Sequence, residues 1–125
     1  MIVLNKLHHS DEQWRALANE PDDGPVFMIN LFKFRDRAEY ADGRDTELSG
    51  IEAYQIYGSA TSEHIAAIGG KVLHSSVIAG MVVGEVENLW DACAIVEYPS
   101  LKAFMRMVDS EEWGQHAVHR EAGLE

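Results

Sequence analysis

Three polar side chains in predicted strands have the chemistry to orient a ligand or to move a proton. Asn30 interrupts the apolar run 26–34, and His74 and Glu97 lie in later β-prone segments. An unpaired buried amide would cost on the order of 1–3 kcal/mol. Asn30 therefore either bonds to backbone or buried water, or points into a cavity and orients a ligand carbonyl or hydroxyl. We take Asn30, His74 and Glu97 as the candidate catalytic residues.

Each of these residues also has a structural interpretation that the sequence leaves open. Glu97 lies at a strand end, where it caps a helix, pairs with Lys or Arg at a dimer interface, or acts as a general base with a raised pKa. His74 and His64 fit the pattern of partly buried, hydrogen-bonded histidines as well as that of catalysts.

The histidines and the single cysteine do not form a metal-binding pattern. His116 and His119 are three residues apart, so on a helix they would lie near one face. The acidic residue of a zincin motif is missing between them. Cys93 lies in an apolar run, which favours a small buried side chain over a reactive thiol. We expect neither a metal nor a cofactor.

A ligand pocket would be lined mainly by aromatic side chains with a few polar groups. The predicted ligand-binding residues are Phe32, Tyr54, Tyr57, Trp113 and Arg120. The aromatic members could equally belong to the core or to a dimer interface. Arg120, with Lys33 and Arg35, could form a basic site for a carboxylate or take part in ordinary surface ion pairs. The sequence contains no glycine-rich phosphate loop, nucleophile elbow or Cys–His pairing pattern.

The elements that position these residues can be read from capping and periodicity. Ser10, with Gln13 three residues later, predicts a capping box and a short helix. The run 26–34 predicts a strand with two largely apolar faces, which suits cover on both sides. Residues 50–68 predict a helix whose apolar stripe includes Ile51, Tyr54 and Ile65.

The second half of the chain predicts two more strand regions and two helices. Residues 71–86 read as a bent strand or a hairpin, because Gly80 and Gly84 interrupt them. Residues 92–98 predict a strand. A helix then follows Ser100, and a break near residues 109–110 precedes a second helical segment. No final strand is visible before Glu125.

This order of elements predicts one α+β domain, residues 1–125, with a ferredoxin-like split βαβ arrangement. Residues 1–24 would form an amino-terminal helical extension and residues 25–125 the protomer of a barrel. Helices on one side of the sheet would leave its other face uncovered. Pairing with a second copy would bury that face, giving a dimeric α/β barrel.

Charge and hydropathy limit the partners of this chain. Ten basic and 21 acidic residues give a net charge of −11. Such acidity disfavours nucleic acid and anionic membrane surfaces, which reward clustered Lys and Arg. The amino-terminal apolar stretch is too short for a signal peptide, and the longest uncharged run, 72–84, is too short to span a membrane. We expect a cytoplasmic protein.

Several segments resemble the domain-of-unknown-function family 1330. They are Val96-Glu97-Tyr98-Pro99-Ser100, Ala103-Phe104, Asp109-Ser110-Glu111-Glu112-Trp113, and Tyr54-Gln55-Ile56-Tyr57 leading through His64 to Gly69-Gly70-Lys71-Val72-Leu73. The similarity spans residues 25–124. It implies a ferredoxin-like protomer of a dimeric α/β barrel. The wider superfamily includes cofactor-independent monooxygenases, cyclases, isomerases and haem enzymes, and the family itself supplies no catalytic residues to transfer.

Two functions from different classes fit these observations. The first is a small-molecule-binding homodimer, with cofactor-independent catalysis on an apolar or aromatic metabolite as its enzymatic form. The second is a non-catalytic homodimeric module whose main feature is its self-pairing surface. A ligand-induced rise in melting temperature would favour the first over the second.

Overall fold

The computed structural model describes residues 3–125 and confirms the α+β class. Met1 and Ile2, the first residues of the predicted amino-terminal extension, lie outside the described residues. The described chain contains four helices and three strands. In order they are α1 Asp11–Ala18, β1 Val26–Phe32, α2 Gly50–Ala67, β2 Lys71–Val77, β3 Ala92–Tyr98, α3 Leu101–Asp109 and α4 Glu111–Gly123.

The three strands form one antiparallel sheet in the order β1-β3-β2. β3 is antiparallel to both neighbours, so β1 and β2 run in the same direction with α2 connecting them. The register of β2 shifts between Val72 and His74, which places Leu73 in a bulge.

Because side chains alternate along a strand, this sheet has two different faces. The helix-facing side carries Val26, Met28, Asn30 and Phe32 of β1 and their partners Tyr98, Val96, Ala94 and Ala92 of β3. It packs against Ile65 of α2 and Met107 of α3. The open face carries Phe27, Ile29 and Leu31 of β1 and Glu97, Ile95 and Cys93 of β3.

Serine caps begin the helices where the sequence predicted them. Ser10 and Ser49 both form complete capping boxes, with Gln13 and Glu52. Ser100 caps α3. Ser110 ends α3 and caps α4, which confirms the predicted break at residues 109–110.

The loop 35–49 is anchored to the carboxyl-terminal end of α4. The amides of Arg35 and Glu39 donate to the carbonyl oxygens of Gly123 and Ala122, both at 2.9 Å. A Cβ atom on Gly50 would overlap the Arg35 carbonyl oxygen and lie 2.7 Å from the Gly123 carbonyl oxygen. Glycine at position 50 is therefore what allows α2, α4 and this loop to approach so closely.

Two strand boundaries differ from the predictions. β1 ends at Phe32, and Phe34 forms only an isolated antiparallel bridge with Leu124. The predicted strand or hairpin over residues 71–86 is wrong beyond Val77. A loop follows, closed at its base by the Ile78 amide, which donates to the Asp91 carbonyl oxygen at 2.9 Å. Gly80 and Gly84 offer no side chain to pack, and Gly84 has φ +86°, which does not continue a strand.

Burial also differs from the predicted pattern. The buried residues of α2 are Gly50, Ala53, Tyr57, Thr61 and Ile65. Ile51, predicted on the buried stripe, is 49% exposed. The buried side of α2 differs from the predicted stripe because this helix packs along α4 as well as facing the sheet. The expected cover on both sides of β1 does not come from residues 3–125, because Ile29 on the open face is 73% exposed.

Within residues 3–125, no helix combines the length and the apolar character needed to cross a membrane.

Candidate functional site

A cleft of about 1350 Å³ separates α2 from the helix-facing side of the sheet. It exceeds the roughly 300–1,000 Å³ of common small-molecule sites. Small residues on both walls leave this space. A Cβ atom on Gly58 of α2 would meet no atom within 4 Å, and Ala94 stands opposite on β3.

Aromatic rings form much of the wall near the end of β1. The Tyr54 ring lies 4.8 Å from that of Phe32, 5.6 Å from that of Phe34 and 5.3 Å from that of Tyr57, between ring centroids. These pairs are tilted or edge-to-face, the arrangements that the ring quadrupole favours. The cluster gives the cleft an apolar surface suited to a flat ligand.

Three tyrosine side chains, Tyr54, Tyr57 and Tyr98, line the cleft. None of their hydroxyl groups has a hydrogen-bond partner among residues 3–125, yet none is sealed from solvent. Burial raises the pKa of Tyr54 well above its usual value, and the hydroxyls of Tyr57 and Tyr98 raise it further. Burial and then Tyr57 raise the pKa of Tyr98 likewise. Tyr54 and Tyr98 therefore stay protonated and able to donate at neutral pH.

Thr61 adds a buried hydroxyl to the same wall. Its side chain is 5% exposed, and Oγ1 has no hydrogen-bond partner among the described residues. The adjacent Ser62 instead donates to the Gly58 carbonyl oxygen at 2.8 Å. A buried, unpaired hydroxyl costs free energy, and because this oxygen is sealed from solvent the cost is not relieved from the cleft.

Asn30 lies on the helix-facing side and lines the cleft. Its Nδ2 donates to the Met28 carbonyl oxygen at 3.2 Å and, at the long distance of 3.4 Å, to that of Ala94. Within the described chain its Oδ1 accepts no hydrogen bond. The predicted hydrogen bonding to backbone thus accounts for Nδ2 of Asn30, while its Oδ1 remains available to a ligand.

Charged groups line the cleft where β1 ends, and most are already paired. Asp91 accepts from Lys33 Nζ at 3.2 Å and from the Phe34 amide at 2.9 Å. Arg35 donates to the Leu124 carbonyl oxygen and to Glu39, both at 3.0 Å. The predicted basic site of Lys33 and Arg35 is therefore occupied by partners within the chain.

His74 and Glu97 lie on the opposite face of the sheet from Asn30. His74 Nε2 is 2.9 Å from Ser76 Oγ. Glu97 Oε2 is 3.5 Å from Lys71 Nζ, one of the pairings that the sequence left open. A single copy of the chain therefore cannot apply Asn30 and these two residues to one ligand, and their catalytic roles remain predictions.

Of the predicted ligand-binding residues, Phe32, Tyr54 and Tyr57 line the cleft. Trp113 lies behind the cleft wall on α4, with its ring 6.1 Å from that of Tyr57, and its buried Nε1 has no partner among residues 3–125. Arg120 donates to the Leu7 carbonyl oxygen at 2.6 Å and acts on the cleft only by lowering the pKa of Tyr54.

Sequence reasoning missed two residues of this site, Thr61 and Tyr98. Both had a signal. Thr61 lies on the predicted stripe of α2, and Tyr98 shares a strand face with Val96. The missing information was the width of the gap between α2 and the sheet, which only tertiary packing determines.

Of the α4 histidines, His119 contacts the loop 35–49, whereas the His116 ring lies 5.4 Å from that of His64 on α2. Burial lowers the pKa of His119, and Arg44 and His116 lower it further. His119 Nδ1 lies 2.7 Å from the Tyr40 hydroxyl oxygen, and the histidine tautomer determines which of the two groups donates the hydrogen bond. Among residues 3–125, no group of three or more His, Cys, Asp or Glu side chains is arranged to hold a metal ion.

Two solved structures resemble this chain over nearly its whole length. One is a crystal structure of the methylated RPA0582 protein, with 35% identity, a TM-score of 0.84 and an alignment covering 95% of this chain and 87% of that one. The other is the RPA0582 protein of unknown function from Rhodopseudomonas palustris, a structural genomics target. It has 32% identity, a TM-score of 0.85 and coverage of 98% and 91%.

No family model matches the chain, and neither does any curated protein. The resemblance to family 1330 therefore stays a prediction. The two solved structures do show a family, because their sequences are 35% and 32% identical to this one over nearly the whole chain. The chain belongs to the same family as the RPA0582 protein of Rhodopseudomonas palustris.

Proposed function

We propose that this protein is a homodimer that binds a small apolar or aromatic metabolite in the cleft between α2 and the sheet. The observation that carries the proposal is the cleft of about 1350 Å³, lined by three tyrosine hydroxyls without a partner among residues 3–125. Apolar walls with a few unpaired polar groups are typical of small-molecule sites. Structural side chains usually leave fewer such groups.

The enzymatic form of this proposal rests on Asn30. It is the candidate catalytic residue that lines the cleft, and its Oδ1 is free to bind substrate within the described chain. We propose that it orients a ligand for cofactor-independent chemistry. His74 and Glu97 would take part only in events on the open face.

The homodimer is supported by the apolar character of the open face. Phe27, Ile29 and Leu31 are 55%, 73% and 46% exposed, and Val82 in the loop after β2 is 99% exposed. Leu73, Met81 and Val83 are further exposed apolar residues, at 47%, 49% and 84%. Large exposed apolar surfaces are typical of interaction sites.

The charge distribution favours a second copy as the occupant of this face. The chain carries a net charge of −11, which repels another copy at most approaches. On the open face, Glu97 is neutralised by Lys71 at 3.5 Å, and the central residues are uncharged. This face is therefore where two copies can approach with the least repulsion.

A ferredoxin-like protomer of a dimeric α/β barrel is the arrangement we propose. It is supported by the strand order β1-β3-β2, with β1 and β2 running in the same direction on either side of β3. The Phe34–Leu124 bridge lies beside β1, where a fourth strand would complete such a sheet. We also propose that the protein is cytoplasmic and does not bind nucleic acid, and the acidity of the chain supports both proposals.

A thermal-shift panel of apolar and aromatic metabolites tests the binding proposal. At least one compound should raise the melting temperature of the wild type. Gly58→Phe places a ring in the open space beside α2 and should abolish that rise. Ile56→Phe is the matched control, because Ile56 is 43% exposed on the same helix and does not line the cleft. An equal rise in all three proteins would contradict binding in the cleft.

The non-catalytic homodimeric module remains the second candidate, favoured by the open face. It predicts that Asn30→Ala and Glu97→Ala change only stability or dimerisation. A compound whose binding is lost in Asn30→Ala, with dimerisation intact, would count against it.

A further inference from the structure

The hydroxyl groups of the cleft indicate which ligand chemistry it accepts. Tyr54, Tyr57, Tyr98 and Thr61 each carry one O–H donor, and none has an acceptor among residues 3–125. Water in the cleft can accept from the tyrosines. A ligand that displaces this water must supply acceptors itself, because an unpaired donor costs more than an unused lone pair.

Among residues 3–125, the lining of the cleft contains no cation that is free to pair with an anionic ligand. Its charged lining residues are Arg35, Asp36 and Asp91, and Arg35 is already bound by Glu39 at 3.0 Å. Arg120 does not line the cleft and donates to the Leu7 carbonyl oxygen. A carboxylate would therefore lose its hydration without gaining an ion pair, which is unfavourable in a partly buried site.

The walls of the cleft favour a ligand with a flat ring system. Phe32, Tyr54 and Tyr57 present rings that are tilted to one another, leaving faces and edges for an aromatic ligand. Gly58 and Ala94 leave room between the walls. Depth, ring surface and donors thus occur together on one side of the sheet.

From this geometry we infer that the cleft selects a neutral aromatic ligand bearing a carbonyl oxygen, held by the hydroxyls of Tyr57 and Tyr98. This rests on the proposed function, whose ligand it specifies. The raised pKa values of Tyr54 and Tyr98 agree with it, since both phenols remain donors. The carbonyl oxygen would accept from hydroxyl groups that have no partner among residues 3–125.

Three probes of similar shape test the inference by isothermal titration. They are methyl naphthyl ketone, ethylnaphthalene and naphthoate. We expect the ketone to bind about tenfold more tightly than ethylnaphthalene, as one or two net hydrogen bonds would give, and naphthoate more weakly than both. Tyr98→Phe and Tyr57→Phe should each weaken ketone binding about fivefold and leave ethylnaphthalene binding within about twofold.

Tyr40→Phe is the control, because Tyr40 bonds to His119 outside the cleft, and ketone affinity should not change. Ethylnaphthalene or naphthoate binding as tightly as the ketone would overturn the inference while leaving the binding cleft intact. Ketone binding that is insensitive to both Tyr57→Phe and Tyr98→Phe would likewise overturn the inference and leave the binding cleft intact. Absence of binding by all three probes would contradict the proposed function together with the inference.

Discussion

The two faces of the sheet are built from the same three strands but differ in what covers them. The helix-facing side combines aromatic rings with unpaired hydroxyls and is separated from α2 by a cleft. The open face carries Phe27, Ile29 and Leu31 of β1 as exposed side chains, with Glu97 and His74 on the neighbouring strands. Strand alternation produces this difference, since adjacent residues of β1 serve opposite faces. We therefore propose ligand binding on one face and self-association on the other.

The largest change in stability should come from substitution of Gly50, which lets α2 pack closely against α4 and the loop 35–49. Gly50→Ala would force a Cβ atom onto the Arg35 carbonyl oxygen and should lower the free energy of unfolding by about 3 kcal/mol. Gly58→Ala on the same helix meets no atom within 4 Å and should raise it by about 0.5–1 kcal/mol. Urea denaturation measures both. Similar effects for the two variants would contradict the proposed anchoring of α2.

A charge on the open face should break self-association without harming the fold. Ile29→Glu should weaken the dimer at least about 100-fold, because a buried carboxylate would lack a partner. Ile56→Glu is the matched control on the exposed side of α2 and should leave the dimer intact. Sedimentation velocity at micromolar concentration distinguishes them. A wild type that sediments as a monomer would contradict the assignment of this face.

On the helix-facing side, removal of the buried hydroxyl should stabilise the protein. Thr61→Val keeps the side-chain volume and removes an unpaired donor, so the free energy of unfolding should rise by about 1 kcal/mol. Ser62→Val serves as the comparison, because Ser62 donates to the Gly58 carbonyl oxygen at 2.8 Å. A loss of stability in Thr61→Val would mean that Oγ1 has a partner, such as a bound water.

The smallest effect concerns alkaline pH. The pKa of Tyr98 is raised in the folded state, so above the ordinary value of 10.0 the unfolded chain loses a proton that the folded chain keeps. Stability is thus complete below that pH and falls as the pH rises further. Tyr98→Phe should flatten this decline between about pH 9 and about pH 11. Parallel pH profiles for the two proteins would contradict burial of this phenol.

The sequence predicted local features better than the relation between faces. Ser10 and Ser100 identified helix starts, because a cap depends on residues within the first turn. The end of β2 at Val77 was missed, since the β-prone residues continue beyond it in the sequence. The two-sided apolarity of β1 was clear from the sequence.

Which face of β1 would remain open depends on the position of α2, and no local pattern encodes that position. The same limit applies to the site. The candidates Asn30, His74 and Glu97 all lie in strands, but the register places Asn30 on one face and the other two on the opposite face. Thr61 and Tyr98 became recognisable only through the gap that separates α2 from the sheet.

One experiment tests whether ligand binding and self-association belong to separate faces of the sheet. It is sedimentation velocity of the Ile29→Glu variant in the presence of methyl naphthyl ketone, with detection at a wavelength that the ketone absorbs. Because the cleft walls come from one copy, we expect the probe to move with a single boundary at the monomer sedimentation coefficient. A probe that is left behind, or that moves only with residual dimer, would show that the two faces do not act separately and would contradict the account.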